Sequence, residues 1–153
     1  MRIILVGHTV GIKRCFEALQ GSHHTIVGVF THEHHLHEAD LALFEIRKTH
    51  FEDYAWDVFR TPEEFRLPLF EYASLDDPTT IQQMSDLNAD VLATVGCRDI
   101  LKQSLIDQFR FAINLHPFYL PYFRGAGIDS WMILMAAEHQ TQQATCHFIA
   151  KGI

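Results

Sequence analysis

The chain has 153 residues, 48% of them hydrophobic, and a formal net charge of −7 when its 11 histidines are neutral. This length and hydrophobic content suffice for one domain with a substantial core. The acidic balance argues against a broad nucleic-acid-binding face, because phosphate binding needs clustered lysine and arginine.

The cysteine count and the apolar runs limit where the chain is expected to reside. The 3 cysteines show no C-x-x-C spacing, so neither a disulfide framework nor a zinc knuckle is expected. The first residues form a strand pattern rather than a signal peptide, and no apolar run approaches membrane-spanning length. We therefore expect a reduced, cytoplasmic protein with no membrane partner.

Apolar runs typical of buried strands alternate with helical patterns along the chain. We predict strands at residues 2–7, 25–31, 67–72, 90–95, 111–115 and 142–150. We predict helices at residues 10–20, 38–48, 78–87, 101–109 and 128–138, while residues 49–66 fit neither pattern. This alternation indicates an α/β fold with a Rossmann-like, doubly wound and mostly parallel sheet in a single domain.

The turn after the first strand reads GHTVG at residues 7–11. Its two glycines fit neither the G-x-G-x-x-G dinucleotide pattern nor a P-loop, so we predict a tight turn without a specific phosphate cradle. A second conspicuous stretch, THEHHLHE at residues 31–38, could bind zinc or nickel, but its position in a loop favours a solvated segment and no metal.

The strongest functional signal is NLHPFYLPYFRGAG at residues 114–127. Because side chains alternate along a strand, Asn114 and His116 point to one face. At the carboxyl end of a strand, that face opens onto the crevice where α/β proteins bind ligands. An amide beside an imidazole can stabilise an oxyanion and transfer a proton. The alternative is a buried pair satisfied by backbone groups, and the prolines and Arg-Gly-Ala-Gly that follow weigh against it.

This stretch resembles the signature of the 10-formyltetrahydrofolate-dependent formyltransferases. The similarity continues through TCHFIAKGI at residues 145–153 and extends over essentially the whole chain. The superfamily includes methionyl-tRNA formyltransferase, glycinamide ribonucleotide transformylase and the nucleotide-sugar N-formyltransferases. The resemblance implies transfer of a formyl group from 10-formyltetrahydrofolate to a primary amine, without a metal.

The resemblance also implies roles for individual residues. Asn114 would donate its amide to the oxyanion that forms on the formyl oxygen, and protonated His116 would add a second donor. In the family a catalytic Asp directly follows the turn that matches Gly152 and Ile153, and the given sequence stops one residue before it. We therefore expect the 153-residue chain to have little or no activity and to self-associate through the edge of its last strand.

The folate carrier is expected along the loops after the fourth and sixth strands, and the amine acceptor beside them. The candidate folate-binding residues are Cys97, Arg98, Ile100, Leu101, Ile149, Ala150, Lys151 and Gly152. The candidate acceptor-binding residues are His8, Arg98, Arg124 and Gly125.

Two short stretches favour the nucleotide-sugar branch of the superfamily. Phe-Thr-His at residues 30–32 resembles a run that follows the second strand in those enzymes, and Arg98 falls on the Arg of their Tyr-Tyr-Arg, although Cys97 replaces an aromatic residue. We expect a nucleotide-linked amino sugar as the acceptor. Methionyl-tRNA is the alternative acceptor, and a catalytically dead fragment that binds folate or a partner is a third interpretation.

Overall fold

The computed structural model describes residues 1–7, 9–32, 46, 67–97, 99–125 and 144–150. Apart from Ile46, the predicted helices at 38–48 and 128–138 and the segment 49–66 lie outside the described residues.

Within these residues, six strands form a single sheet. They are β1 (Arg2–Gly7), β2 (Thr25–His32), β3 (Leu69–Tyr72), β4 (Val91–Val95), β5 (Phe111–His116) and β6 (Thr145–Phe148). Their order across the sheet is β3-β2-β1-β4-β5-β6, and every pair is parallel except β5 with β6. The chain winds outward from β1 in both directions, which confirms the predicted α/β, mostly parallel, doubly wound fold.

Helices α1 (Thr9–Leu19) and α2 (Pro78–Asp86) lie within one residue of their predicted bounds. The Asp77 carboxylate caps α2, because it accepts hydrogen bonds from the N–H groups of Thr79 at 2.8 Å and Thr80 at 3.4 Å. These bonds lower the pKa of Asp77, so the cap is fully formed at neutral pH. Among the described residues, no helix is long and apolar enough to cross a membrane.

Three predicted elements differ from the sequence-based expectation by two or more residues in length. The helix predicted at 101–109 contains only α3 (Gln103–Ile106), because Lys102 provides no side-chain cap and the chain turns after Ile106. The strand predicted at 67–72 begins at Leu69, since Pro68 has no N–H to pair and only its carbonyl accepts a bond from Val29. The last strand is the short β6, which lies inside the predicted range 142–150.

The sheet is buried on both faces, as expected for strands that read as continuous apolar runs. On one face α1 covers a cluster that contains Leu5, Ile12 and Val29. On the other face, a cluster that contains Phe30, Leu92 and Met84 packs beneath α2, and we call it the α2-side cluster. The carboxyl ends of the parallel strands therefore open at one edge of a rigid, two-sided core.

Candidate active site

Three polar side chains line up across neighbouring strands at the carboxyl end of the sheet. The register pairs Thr94 of β4 with Asn114 of β5, and Asn114 with His147 of β6. The Thr94 hydroxyl donates to Asn114 Oδ1 at 2.9 Å, and Asn114 Nδ2 lies 3.1 Å from His147 Nε2. We call Thr94, Asn114 and His147 the polar row. It fixes the plane of the Asn114 amide from both sides.

The contacts of His147 define which way the Asn114 amide points. His147 Nδ1 lies 3.0 Å from the carbonyl oxygen of Phe148, and a carbonyl can only accept. Nδ1 therefore carries the proton in the neutral ring, and Nε2 accepts from the amide of Asn114. One of the two amide hydrogens is engaged in this way. Among the described residues none accepts the second hydrogen, so it is available for a ligand on the same face.

His116 lies two residues further along β5 and contacts the loop that follows. Its Nε2 lies 2.6 Å from the carbonyl oxygen of Phe123, so this nitrogen donates to the loop. When the His116 imidazole is protonated, its second donor, Nδ1–H, takes no part in the bond to Phe123. The ring is half-buried and meets Phe118 edge-on at 6.1 Å between centroids.

Thr145 fastens another stretch of the same loop. Its hydroxyl donates to the carbonyl oxygen of Phe118 at 2.8 Å and accepts from the N–H of Leu120 at 3.2 Å. Together with the contact between His116 and Phe123, these bonds tie residues 117–125 to both β5 and β6. The loop after the Asn-x-His motif is thus a preorganised component of the site.

Three of the predicted folate-binding residues meet around one hydrophobic surface. Cys97, Leu101 and Ile149 all pack against the α2-side cluster, although they come from loops on two different strands. The N–H of Ile149 donates to the carbonyl oxygen of Ala112 at 2.8 Å, which holds the loop after β6 in place. Ile100, also predicted, is 86% exposed beside them. Residues of both loops on which folate binding was predicted therefore pack against the same cluster.

A buried tyrosine holds the first of these loops. The Tyr72 hydroxyl donates to Asp99 Oδ2 at 2.9 Å and lies 3.9 Å from Cys97 Sγ. Burial raises the pKa of the Tyr72 phenol, and Cys97 and Asp99 raise it further. Burial also raises the pKa of the Cys97 thiol. Cys97 therefore stays protonated at neutral pH and serves as a packing group, because a nucleophile must be a thiolate.

The remaining predicted site residues fall into two groups. Arg124 and Gly125 are exposed at the end of the loop after β5, and Ala150 is exposed after β6. His8, Arg98, Lys151, Gly152 and most of the histidine-rich stretch, residues 33–38, lie outside the described residues. Over the portion of the chain that the structure describes, no group of three or more histidine, cysteine or acidic residues could hold a metal.

No role was predicted from the sequence for Thr94, Thr145 or His147. A signal was nevertheless present, because Thr145 and His147 alternate in β6 with the same period of two as Asn114 and His116 in β5. Thr94 is a polar residue in an otherwise apolar strand, only 2% exposed. What the sequence did not reveal is the register that places these groups against Asn114.

Replacing Thr94 with Val is expected to lower the free energy of unfolding by about 1–2 kcal/mol, because Asn114 Oδ1 loses its donor. The matched control is Thr31→Val in β2. Thr31 is equally buried, but its hydroxyl has no hydrogen-bond partner among the described residues, so its removal should be neutral or stabilising. Urea denaturation measures both. Equal losses of stability would contradict the role given to Thr94.

The fold and the site together define the class of the protein. It is a Rossmann-like α/β protein with an oriented amide and an imidazole at the carboxyl end of its fifth strand. The formyl transferase family model matches the entire chain, residues 1–153, and the chain belongs to that family. The resemblance seen in the sequence is thereby confirmed.

Individual relatives show the same family likeness. The chain is 29% identical over 140 residues to a methionyl-tRNA formyltransferase of Alkaliphilus oremlandii. The aligned region covers 88% of this chain and 40% of the relative. It is 35% identical over 86 residues to a methionyl-tRNA formyltransferase of Rhodopirellula baltica, and the aligned region covers 56% of this chain and 25% of the relative. The chain thus spans less than half the length of these curated relatives.

Solved structures share the fold at lower sequence identity. Phosphoribosylglycinamide formyltransferase from Anaplasma phagocytophilum superposes with a TM-score of 0.70 at 18% identity, covering 100% of this chain and 66% of that one. A 4-N formyltransferase from Francisella tularensis gives a TM-score of 0.58 at 16% identity, with 99% and 51% covered. At these identities the likeness concerns the fold alone.

Proposed function

We propose that the protein transfers a formyl group from 10-formyltetrahydrofolate to a primary amine. The observation that carries the proposal is the polar row: Thr94 and His147 hold the Asn114 amide so that one N–H is free, two residues from the His116 imidazole. Membership of the formyl transferase family supports this interpretation of the same residues. The residues expected to bind the folate lie on the loops after β4 and β6.

The proposed chemistry is a direct acyl transfer. The amine attacks the formyl carbon, the negative charge develops on the formyl oxygen, and the bond from the formyl carbon to the folate nitrogen then breaks. The free N–H of Asn114 stabilises the oxyanion, and protonated His116 adds a second donor. One such donor contributes about 3–4 kcal/mol of transition-state stabilisation. The attacking amine loses one proton and the departing folate nitrogen gains one, so the reaction takes up and releases no net proton.

For the acceptor we propose the amino group of a nucleotide-linked amino sugar. The net charge of −7 supports a small-molecule acceptor over a nucleic acid, because tRNA binding needs a positive surface. A second candidate is methionyl-tRNA, which the names of the curated relatives favour. Formylation assays with nucleotide-linked amino sugars and with methionyl-tRNA discriminate the two. We propose a reducing, cytoplasmic setting because all three cysteines are free.

These assays should be made on the 153-residue chain and, in parallel, on a polypeptide that continues past Ile153 with Asp, where the family resemblance places an acid. A folate-binding protein without turnover would bind the carrier in both forms and formylate neither acceptor. That result would replace the proposed activity by a binding function.

We expect a non-transferable formylfolate analogue, rather than NAD or ATP, to occupy the proposed folate site. Calorimetric titration of the folded chain tests this. Replacing Ile100 with Ser should weaken folate binding by about tenfold, because the exposed side chain would lose its burial against the ligand. Ser104→Ala, an exposed position on α3, is the control and should leave the affinity unchanged. Binding of NAD with no binding of the folate would refute the proposal.

A further inference from the structure

The loop after β5 presents two tyrosines that the proposed mechanism does not use. The rings of Tyr119 and Tyr122 stack, with centroids 5.7 Å apart and planes 23° from parallel. Tyr119 is 40% exposed and Tyr122 is 77% exposed. We call this pair the tyrosine platform. Exposed aromatic faces of this kind supply large contact area for a ligand at a low cost in side-chain entropy.

The platform is held in place on both sides. Phe118 and Leu120, which flank Tyr119, bond to the Thr145 hydroxyl on β6. Behind Tyr122, the N–H of Phe123 donates to the carbonyl oxygen of Tyr119 at 3.2 Å and closes the turn. The Phe123 side chain is only 6% exposed and anchors the loop in the protein. A ligand would therefore meet tyrosines that are already ordered.

The platform lies close to the proposed reaction centre. The carbonyl oxygen of Phe123 is 2.6 Å from His116 Nε2. From standard backbone lengths, the Cα atom of the neighbouring Tyr122 lies within about 9 Å of that imidazole nitrogen. An acceptor whose amine meets Asn114 can thus touch the platform with a ring that a short linker separates from the amine. A sugar joined through a diphosphate to a nucleoside has this reach.

The charge beside the platform fits the same kind of acceptor. Arg124 directly follows Phe123 and is exposed. In a chain with a net charge of −7, a cation at this position provides local attraction for a diphosphate. The planar guanidinium pairs with phosphate oxygens in a two-point geometry that lysine cannot match. A nucleoside diphosphate has both features that this surface would bind. Its flat base can stack on the tyrosines, and its phosphates can pair with Arg124.

We propose that the tyrosine platform and Arg124 bind the nucleoside diphosphate moiety of the amine acceptor, with Tyr122 stacked on the base. This inference rests on the proposed function, and it assigns recognition of the acceptor to a segment outside the polar row. Stacking on an aromatic ring tolerates different bases. Pyrimidine and purine diphosphates are therefore both expected to bind.

The test is titration of uridine 5′-diphosphate against the 153-residue chain by calorimetry, with saturation-transfer NMR to locate the bound ring. Tyr122→Leu keeps apolar bulk but removes the aromatic face, and it should weaken binding about 10- to 100-fold. Tyr122→Phe keeps the face and should bind within about twofold of the unaltered chain. Phe148→Leu, at another exposed aromatic residue that lies on β6, is the matched control and should change nothing.

Simpler ligands separate the two halves of the site. Arg124→Gln should weaken binding of the diphosphate and of inorganic pyrophosphate but leave uridine unaffected. If Tyr122→Leu binds the diphosphate as tightly as the unaltered chain, or if the chain binds the formylfolate analogue but no nucleoside diphosphate, this inference is overturned alone. Binding of charged tRNA without binding of the diphosphate also overturns it. Diphosphate binding without any folate binding overturns the proposed function and leaves the platform as a nucleotide site.

Discussion

In a version of the enzyme with its full catalytic set, replacing Asn114 with Ala is expected to lower kcat about 100- to 1000-fold while the affinity for a formylfolate analogue changes little. The amide acts on charge that is present mainly in the transition state, so its loss affects turnover more than binding. Asn114→Asp provides the isosteric comparison, since it keeps the shape of the side chain and removes the N–H. We expect it to be at least as inactive as the Ala variant.

The corresponding experiment on His116 must separate its proposed role as a proton-carrying donor from its hydrogen bond to the loop after β5. His116→Ala loses both the imidazole and the bond to the carbonyl oxygen of Phe123. His116→Gln retains an N–H that can reach this carbonyl but has no group that can carry the proton. If His116 acts as a charged donor, the Gln variant should be as slow as the Ala variant. Full activity of the Gln variant would assign His116 to holding the loop. A large loss of folate affinity in one of these variants would assign the replaced residue to binding.

The largest expected effect on stability comes from Gly7→Ala at the end of β1. Gly7 has φ of 154°, and a Cβ atom there would lie 1.9 Å from the carbonyl oxygen of Val95. This oxygen belongs to the backbone of the neighbouring β4, so it cannot move without breaking the parallel pairing. We expect the free energy of unfolding to fall by about 3 kcal/mol or more, from strain and overpacking together.

Gly21→Ala is the matched control for this prediction. Gly21 also has a positive φ, at 76°, but a Cβ atom there would meet nothing within 4 Å. Only the conformational strain remains, so the expected loss is about 1 kcal/mol. Urea denaturation of the two variants measures the difference. Equal losses would mean that the close approach to Val95 is relieved at no cost, and would contradict the packing argument.

Much of the fold could be predicted from the sequence because apolar patterning determines it. β1 is apolar after Arg2 and β4 is apolar apart from Thr94, and burial on both faces is what such runs require. Of the tight turn expected at residues 7–11, residues 9–11 belong to α1. The backbone at Gly7 and Gly11 lies so close to Val95 that an added Cβ atom would come within 2.5 Å of it. The short helix α3 was predicted too long because its apolar residues continue past the point where its backbone turns.

The site could be predicted less completely, because its chemistry depends on pairing between distant strands. Asn114 and His116 stood out through their local motif, whereas the partners of Asn114 are set by the register with β4 and β6. A shift of one residue in either register would remove Thr94 or His147 from the polar row. No local pattern in the sequence fixes such a register, so the roles of these two residues became visible only in three dimensions.

The antiparallel β6 also has a consequence for when the site can form during synthesis. The hydrogen bonds that orient Asn114 join residues 20 and 33 positions apart in the chain. Such contacts contribute only after the intervening segment of the chain has closed into a loop. While residue 147 is still inside the ribosome, the growing polypeptide can pair β4 with β5. The Asn114 amide then lacks its partner on β6. Assembly of this centre is therefore tied to the last segment of the described chain to leave the ribosome.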